Sequence, residues 1–355
     1  MSTWDRLHRV VDLNSRTRLS FSNFFIVFLP PVLLYYVANA LAIQGPKTFV
    51  YRLALLPLML YFAWRATVSL DIAAGLLPND PDALGYFNQV LALAMYIVST
   101  RTLLRVTAPT PRRSTSNGHL LDALDLTLNL RGIGWNFSKN LKLPPETRPV
   151  ASRNAFMAYA AKSLLLHILA FDLLYYLAQL LASKPVGSTE GFSIFDTAIA
   201  NPVLRQLNAM ALSLLVGLCI YGAIQIGHDA FALIGIGLFR MPPSDWPPIF
   251  NAPWFATSLG DFWASRWHQV FRQEFVGVGA RPLRALAGSA GGVFGAFLVS
   301  GLLHFVGLWG MNKGADVRVV GFFLMMGLGV VLESAFQQVF KRQRDNGECL
   351  HPARL

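Results

Sequence analysis

Three stretches of this sequence carry side chains that can move protons or hold a polar substrate. In FLVSGLLHFVG, Phe297 to Gly307, His304 stands inside an apolar run. An ionisable ring there is costly and is by default a functional candidate. A neutral imidazole can take the proton of an alcohol as that alcohol attacks a carbonyl. The plain alternative is a structural histidine bonded to a neighbouring helix. In WPPIFNAPWFATSLGDFWASRWHQVFR, Trp246 to Arg272, His268 lies among Phe262, Trp263, Trp267 and Phe271, with Asp261, Arg266 and Arg272 supplying charge. The aromatics read equally well as an anchor at the membrane–water interface. The third stretch, LRGIGWN, Leu130 to Asn136, offers Arg131 and Trp135.

These residues favour proton transfer without a covalent enzyme intermediate. Ser300 lies four residues before His304, but no G-x-S-x-G elbow surrounds it, so direct transfer to an alcohol is the simpler chemistry. No H-E-x-x-H pattern occurs, and the two cysteines, Cys219 and Cys349, support neither a zinc site nor a disulfide framework. Further polar residues fall within apolar runs: His167, Asp172, His228, Asp229 and Glu333. Each can be structural glue, a cavity wall or part of a proton path. A proton-coupled transporter shows such groups too, but no half-to-half repeat accompanies them here.

The elements that must position these residues belong to a membrane protein. The 355 residues are 54% hydrophobic and 14% charged, well below the roughly one quarter charged of soluble chains, and mean hydropathy is +0.44. Apolar blocks at Phe21–Ile43, Phe49–Trp64, Leu84–Thr100, Ala155–Leu181, Leu207–Phe239, Leu286–Met311 and Val319–Phe340 give about seven spans. The expected fold is all-α and polytopic, with seven to eight transmembrane helices plus interfacial ones, in a single domain over 1–355 whose motif-bearing core covers about 131–340. Pro30 and Pro31 predict a kink in the first span. The 33-residue fifth block is long enough to tilt or break. LLDALDLTLNL sets Leu120, Leu121, Leu124 and Leu128 on one face, as in a helix lying on a membrane surface.

The net charge of +11 reads as basic cytosolic loops rather than nucleic-acid binding. The segments Arg101–Arg153, Arg240–Arg284 and the tail Lys341–Arg344 carry the excess. Parity then puts Ser183–Gln206 and Asn312–Arg318 in the lumen. At the N-terminus, parity and the basic cluster Arg6, Arg9, Arg16 and Arg18 point to opposite sides. The first twenty residues lack the short apolar region and cleavage site of a removable signal peptide.

Taken in order, the motifs resemble the wax synthase-like branch of the membrane-bound O-acyltransferases, which includes fungal terpenoid and meroterpenoid O-acetyltransferases. That branch shows WPP.F, then SL.DFW..RWH, then SG..H on a later apolar helix. Here these are Trp246-Pro247-Pro248, Ser258 to His268, and Ser300 to His304, with RGIGW upstream at Arg131 to Trp135. The resemblance implies an O-acyltransferase with acyl-CoA, acetyl-CoA in the fungal members, as co-substrate and no bound cofactor or metal. It implies catalysis by His304 and His268. Binding of substrate or acyl-CoA is expected at Asp261, Trp263, Arg266, Trp267, Arg131, Trp135 and Ser300. In the wider superfamily the position matched to His268 is often asparagine. Lys139, Lys142, Arg240 and Arg272 are further basic candidates for the donor's phosphates, and the same charges suit anionic lipid headgroups equally well. The acceptor is an apolar alcohol arriving from the bilayer, in secondary metabolism, and the setting is the endoplasmic reticulum membrane. A long-chain wax ester synthase is the nearest alternative.

Overall fold

A computed structural model describes residues 13–79, 84–139, 141–187, 192–311 and 316–348. Arg6, Arg9, Cys349, the signal-peptide reading of residues 1–12 and loop positions 188–191 and 312–315 lie outside them. Among the described residues, seven helices are long and apolar enough to cross a membrane. The protein is an all-α polytopic membrane protein. Its one pair of named strands among these residues, Thr17–Arg18 beside Leu70–Asp71, is two residues long.

The helices agree with the apolar blocks and differ at their ends. Helix α1, Phe21–Ile43, begins at a capping box in which Ser20 and Asn23 satisfy each other's backbone N–H groups. A π-helical turn at Phe24–Phe28 directly precedes the prolines at which a kink is expected. Pro30 and Pro31 follow in the first turn of the α-helical part, where a missing N–H costs little. Helix α2 is Phe49–Ser69, five residues longer than expected. Helix α3, Tyr86–Thr107, runs seven residues beyond the expected Thr100.

That extension corrects the polar loop's starting point. Arg101 and Arg105 are helical and buried, not loop residues. Arg101 pairs with Glu274 and also donates to the Leu130 carbonyl. Arg105 Nε donates to Asn39 Oδ1 at 2.6 Å. Buried charge is tolerated when it is paired and hydrogen-bonded, which composition counting along the chain does not register.

Helix α4, His119–Leu128, presents Leu120, Leu121, Leu124 and Leu128 outward, as the periodicity predicts. Its opposite face, with Asp122, Ala123 and Leu126, is buried. Tyr36 Oη donates to the Leu120 carbonyl, and His119 Nε2 lies 2.9 Å from the Ala40 carbonyl, fastening α4 to α1.

The chain packs as two compact units, one of residues up to Leu141 together with those from Ala252 onward, the other Lys142–Asn251. The second unit is built on α5, Arg153–Leu181, and α6, Pro202–Gly237. They run antiparallel. Phe156 and Ala160 near the start of α5 pack on Ala232 and Ile236 near the end of α6, and Asn208 Nδ2 donates to the Leu181 carbonyl at the other end. Helix α6 is one unbroken helix of 36 residues, about 54 Å long at 1.5 Å per residue, so its glycines do not break it, and only Gly235 marks a close approach. At Gly235 a Cβ would collide with the Trp246 ring.

The first unit adds α7, Arg272–Gly310, and α8, Arg318–Glu348. Arg272–Arg284 is not a polar loop leading to a span at Leu286. It is the first arm of a helical hairpin. The backbone leaves helical geometry at Ala287 and Gly288, where Gly288 takes φ +65, a conformation glycine adopts without penalty. The second arm returns along the first. A Cβ on Gly279 would clash with the Gly295 backbone, and one on Gly291 with the Leu283 carbonyl. Both pairs are centred on position 287, so the arms are antiparallel and in register.

Glycines also seat the second arm against its other neighbours. A Cβ on Gly301 would press on Val320 and Phe323 of α8, and one on Gly307 or Gly310 on Leu93 or Ala92 of α3. Small residues allow helices to approach closely where apolar driving force is weak.

Candidate active site

The hairpin explains how two histidines 36 positions apart come together. The first arm begins at Arg272, four residues after His268, and on the hairpin register its start lies level with Leu302, two residues before His304. Electrostatics agree. Desolvation first, then the nearby His304 and Arg131, push the His268 imidazole from an ordinary 6.5 down to about 4. His268 is therefore neutral at physiological pH, and Arg131 of the RGIGW loop is close enough to influence it.

His304 is held by its own helix. Its Nδ1 lies 2.8 Å from the Ser300 carbonyl oxygen. A carbonyl only accepts, so Nδ1 carries the proton and donates it, and Nε2 keeps the free lone pair. Phe323 of α8 stacks on the imidazole, ring centroids 4.3 Å apart at 30°. The ring is thus oriented by Ser300's backbone and Phe323's face.

The segment bearing His268 starts at Ser258, whose Oγ accepts from the Asp261 N–H at 2.8 Å as an N-cap. One α-turn, Leu259–Asp261, passes into a π-helical turn, Phe262–Arg266. Such π-turns are frequent at functional sites because they re-aim side chains. Asp261 closes the turn. It accepts from Ser265 Oγ and Arg266 Nε, and from the Thr257 N–H at 3.3 Å. Hydrogen bonds from Ser265 and Arg266 hold its carboxyl at about 2, so it stays ionised.

The aromatics of this segment pack beside His268 and against Phe323, the ring stacked on His304. Trp263 contacts Phe297 at 5.9 Å and Phe323 at 6.4 Å between ring centroids. Trp267 lies stacked on Phe262 at 5.4 Å and is 5.7 Å from His268, with Phe271 at 6.0 Å from that ring.

Arg266 is occupied by Asp261 and by the Ala252 carbonyl. Trp135 is buried, and its Nε1–H donates to Asp125 Oδ2 at 2.7 Å, so it braces the loop that carries Arg131. Ser300 contributes its carbonyl. Arg272 starts the first hairpin arm, and Lys139 lies in the same unit. Lys142 and Arg240 belong to the second unit.

The second unit has its own buried polar cluster. Asp229 accepts from Ser163 Oγ at 2.7 Å and from Gln225 Nε2 at 2.8 Å, with His228 Nδ1 3.4 Å away and His167 Nδ1 4.0 Å away. Asp172 is exposed to the surroundings. The sequence reading named His167, His228 and Asp229 but not Ser163 or Gln225. It also missed Phe297 and Phe323, because aromatic residues in apolar helices carry no signal of what they face.

Residues 246–325 match the sequence model of the Membrane bound O-acyl transferase family. Acetyltransferase spyB of Aspergillus fumigatus is 32% identical over 35% of this chain and 22% of its own length. Acetyltransferase eriL of Hericium erinaceus is 25% identical over 60% and 56%, and O-Mevalon transferase yanI of Aspergillus niger is 27% identical over 59% and 51%. The matches thus span 22–56% of these relatives' lengths. No solved structure matches the chain.

Proposed function

We propose that this chain is a membrane-bound O-acyltransferase that transfers an acyl group from acyl-CoA to the hydroxyl of an apolar alcohol, with His304 as general base. The observation that carries this reading is the bond from His304 Nδ1 to the Ser300 carbonyl, which leaves Nε2 as the proton acceptor. In the reaction Nε2 takes the alcohol proton as the alcohol oxygen attacks the thioester carbonyl. The C–S bond then breaks, and the departing thiolate takes the proton back, so no net charge is produced. His268, neutral and adjacent, donates a hydrogen bond to the oxygen on which negative charge develops. The neighbouring aromatics keep water from competing with the alcohol.

Acetyl is the favoured acyl group, because two of the three relatives are named acetyltransferases. The acceptor in this reading is a terpenoid or meroterpenoid alcohol of secondary metabolism, delivered through the bilayer of the endoplasmic reticulum. Arg131, beside His268, is the basic residue best placed to meet the donor. Trp263 and Trp267 line the acyl and acceptor path, while Asp261 and Arg266 hold its shape and Trp135 holds Arg131's loop. Membranes containing the chain, given labelled acetyl-CoA or palmitoyl-CoA with a panel of terpenoid, sterol and fatty alcohols, should form acetyl esters of terpenoid alcohols. Preferential palmitoyl esters of fatty alcohols would replace this reading with wax ester synthesis. Absence of any ester with the whole panel would refute both.

A further inference from the structure

Glu333 is the one charged residue between Arg318 and Lys341, inside a helix long and apolar enough to span a membrane. A carboxylate there is costly unless it is bonded. In the structure the Leu259 N–H donates to Glu333 Oε1 at 3.1 Å, and the Gly260 N–H donates to Oε2 at 3.0 Å. These are the first two amides of the turn that opens the His268 segment. The next amide, Asp261 N–H, goes to Ser258 Oγ, and Phe262 N–H goes to the Ser258 carbonyl. Phe262 N–H makes the first intrahelical bond, and the three free amides before it, Leu259, Gly260 and Asp261, are all satisfied, two of them by one side chain more than 70 positions away. A helix N-terminus also favours negative charge. Gly329, one turn earlier on the same face of α8, leaves room for Leu259, whose Cδ1 would lie 3.0 Å from a Cβ there.

From this geometry we propose that Glu333 is a positioning residue for acyl transfer, clamping the start of the Ser258–His268 segment to α8. The same helix stacks Phe323 on His304. Helix α8 thereby fixes the His268 segment and the His304 ring in one frame. The consequence for turnover rests on the proposed role of His304; the clamp itself does not.

The test uses the full chain purified in detergent, with Glu333→Ala, Glu333→Gln and His304→Ala. Amide hydrogen exchange reads the clamp without any substrate. In Glu333→Ala, peptides covering 257–266 should exchange about tenfold faster, since bonds to a charged acceptor are lost. Peptides from α5 and α6 should be unchanged. Glu333→Gln keeps a carbonyl acceptor and should recover part of that protection. With the alcohol identified in the acceptor panel, Glu333→Ala should lower kcat about tenfold while KM for acetyl-CoA stays within about twofold. Unchanged exchange at 257–266, or equal exchange in the Ala and Gln variants, overturns the clamp. Faster exchange with normal kcat overturns the positioning role. If His304→Ala alone remains active, the base assignment falls while the exchange result still decides the clamp.

Discussion

Gly279 and Gly295 face each other across the α7 hairpin with no room for a Cβ on either, since each would strike the other's backbone. Their contact sets the register that places the start of the first arm, four residues after His268, level with Leu302, two residues before His304. Gly279→Ala and Gly295→Ala should each destabilise the protein by about 1–3 kcal/mol through overpacking, seen as a lower midpoint of thermal unfolding in detergent. Gly217, whose Cβ position is open, is the control. Gly217→Ala should unfold at or above the parental temperature, because alanine favours helix by up to about 1 kcal/mol.

Replacing His304 by alanine should cut turnover by about 10²- to 10⁴-fold, the usual worth of a general base, with membrane insertion intact. Ser300→Ala should cost far less, because the atom that orients His304 is the Ser300 carbonyl, which alanine retains. Initial rates per milligram of purified enzyme check both. Near-normal rates in His304→Ala would remove the base assignment, and an acyl group trapped on Ser300 would replace direct transfer with an acyl-enzyme.

His268 predicts a specific pH dependence of stability. Its folded value, about 4, lies below the ordinary 6.5, so between those values the unfolded chain binds the proton more readily. The stability tied to the neutral ring is fully present above 6.5 and is lost as pH falls toward 4. His268→Asn has no such proton to bind. Its thermal midpoint should fall less than the parent's between pH 6.5 and 4, and parallel curves for the two proteins would contradict the assignment. In activity at neutral pH, His268→Asn should retain more than His268→Ala, because it keeps a hydrogen-bond donor.

The Arg101–Glu274 pair ties α3 to the first hairpin arm from within the protein. Glu274→Ala leaves a buried guanidinium without its carboxylate, a change worth about 3–5 kcal/mol. The variant should yield little folded protein by size exclusion in detergent. Replacing both partners, Arg101→Met with Glu274→Leu, should recover much of the yield, since the uncompensated charge is gone. Equal yields of parent and Glu274→Ala would show that the pair contributes little.

Sequence by itself determined the class of protein and the candidate residues. Apolar runs longer than a bilayer is thick leave few alternatives to membrane helices, since unpaired backbone groups are too costly in lipid. The period of LLDALDLTLNL was enough to pick the outward leucines of α4. A histidine in an apolar run, and DFWASRWH before it, were enough to single out His304 and His268. What linear reading could not supply was the reversal at Ala287–Gly288. The charges Arg272, Glu274, Arg281 and Arg284 make that stretch look like a loop, and only the pairing of Glu274 with Arg101 and of Gly279 with Gly295 makes a helix there favourable. Likewise Glu333 reads as an isolated charge until its oxygens meet the amides of Leu259 and Gly260. Hydrogen bonds and backbone approach between residues far apart in sequence depend on three-dimensional register, and that register was decided by the tertiary structure.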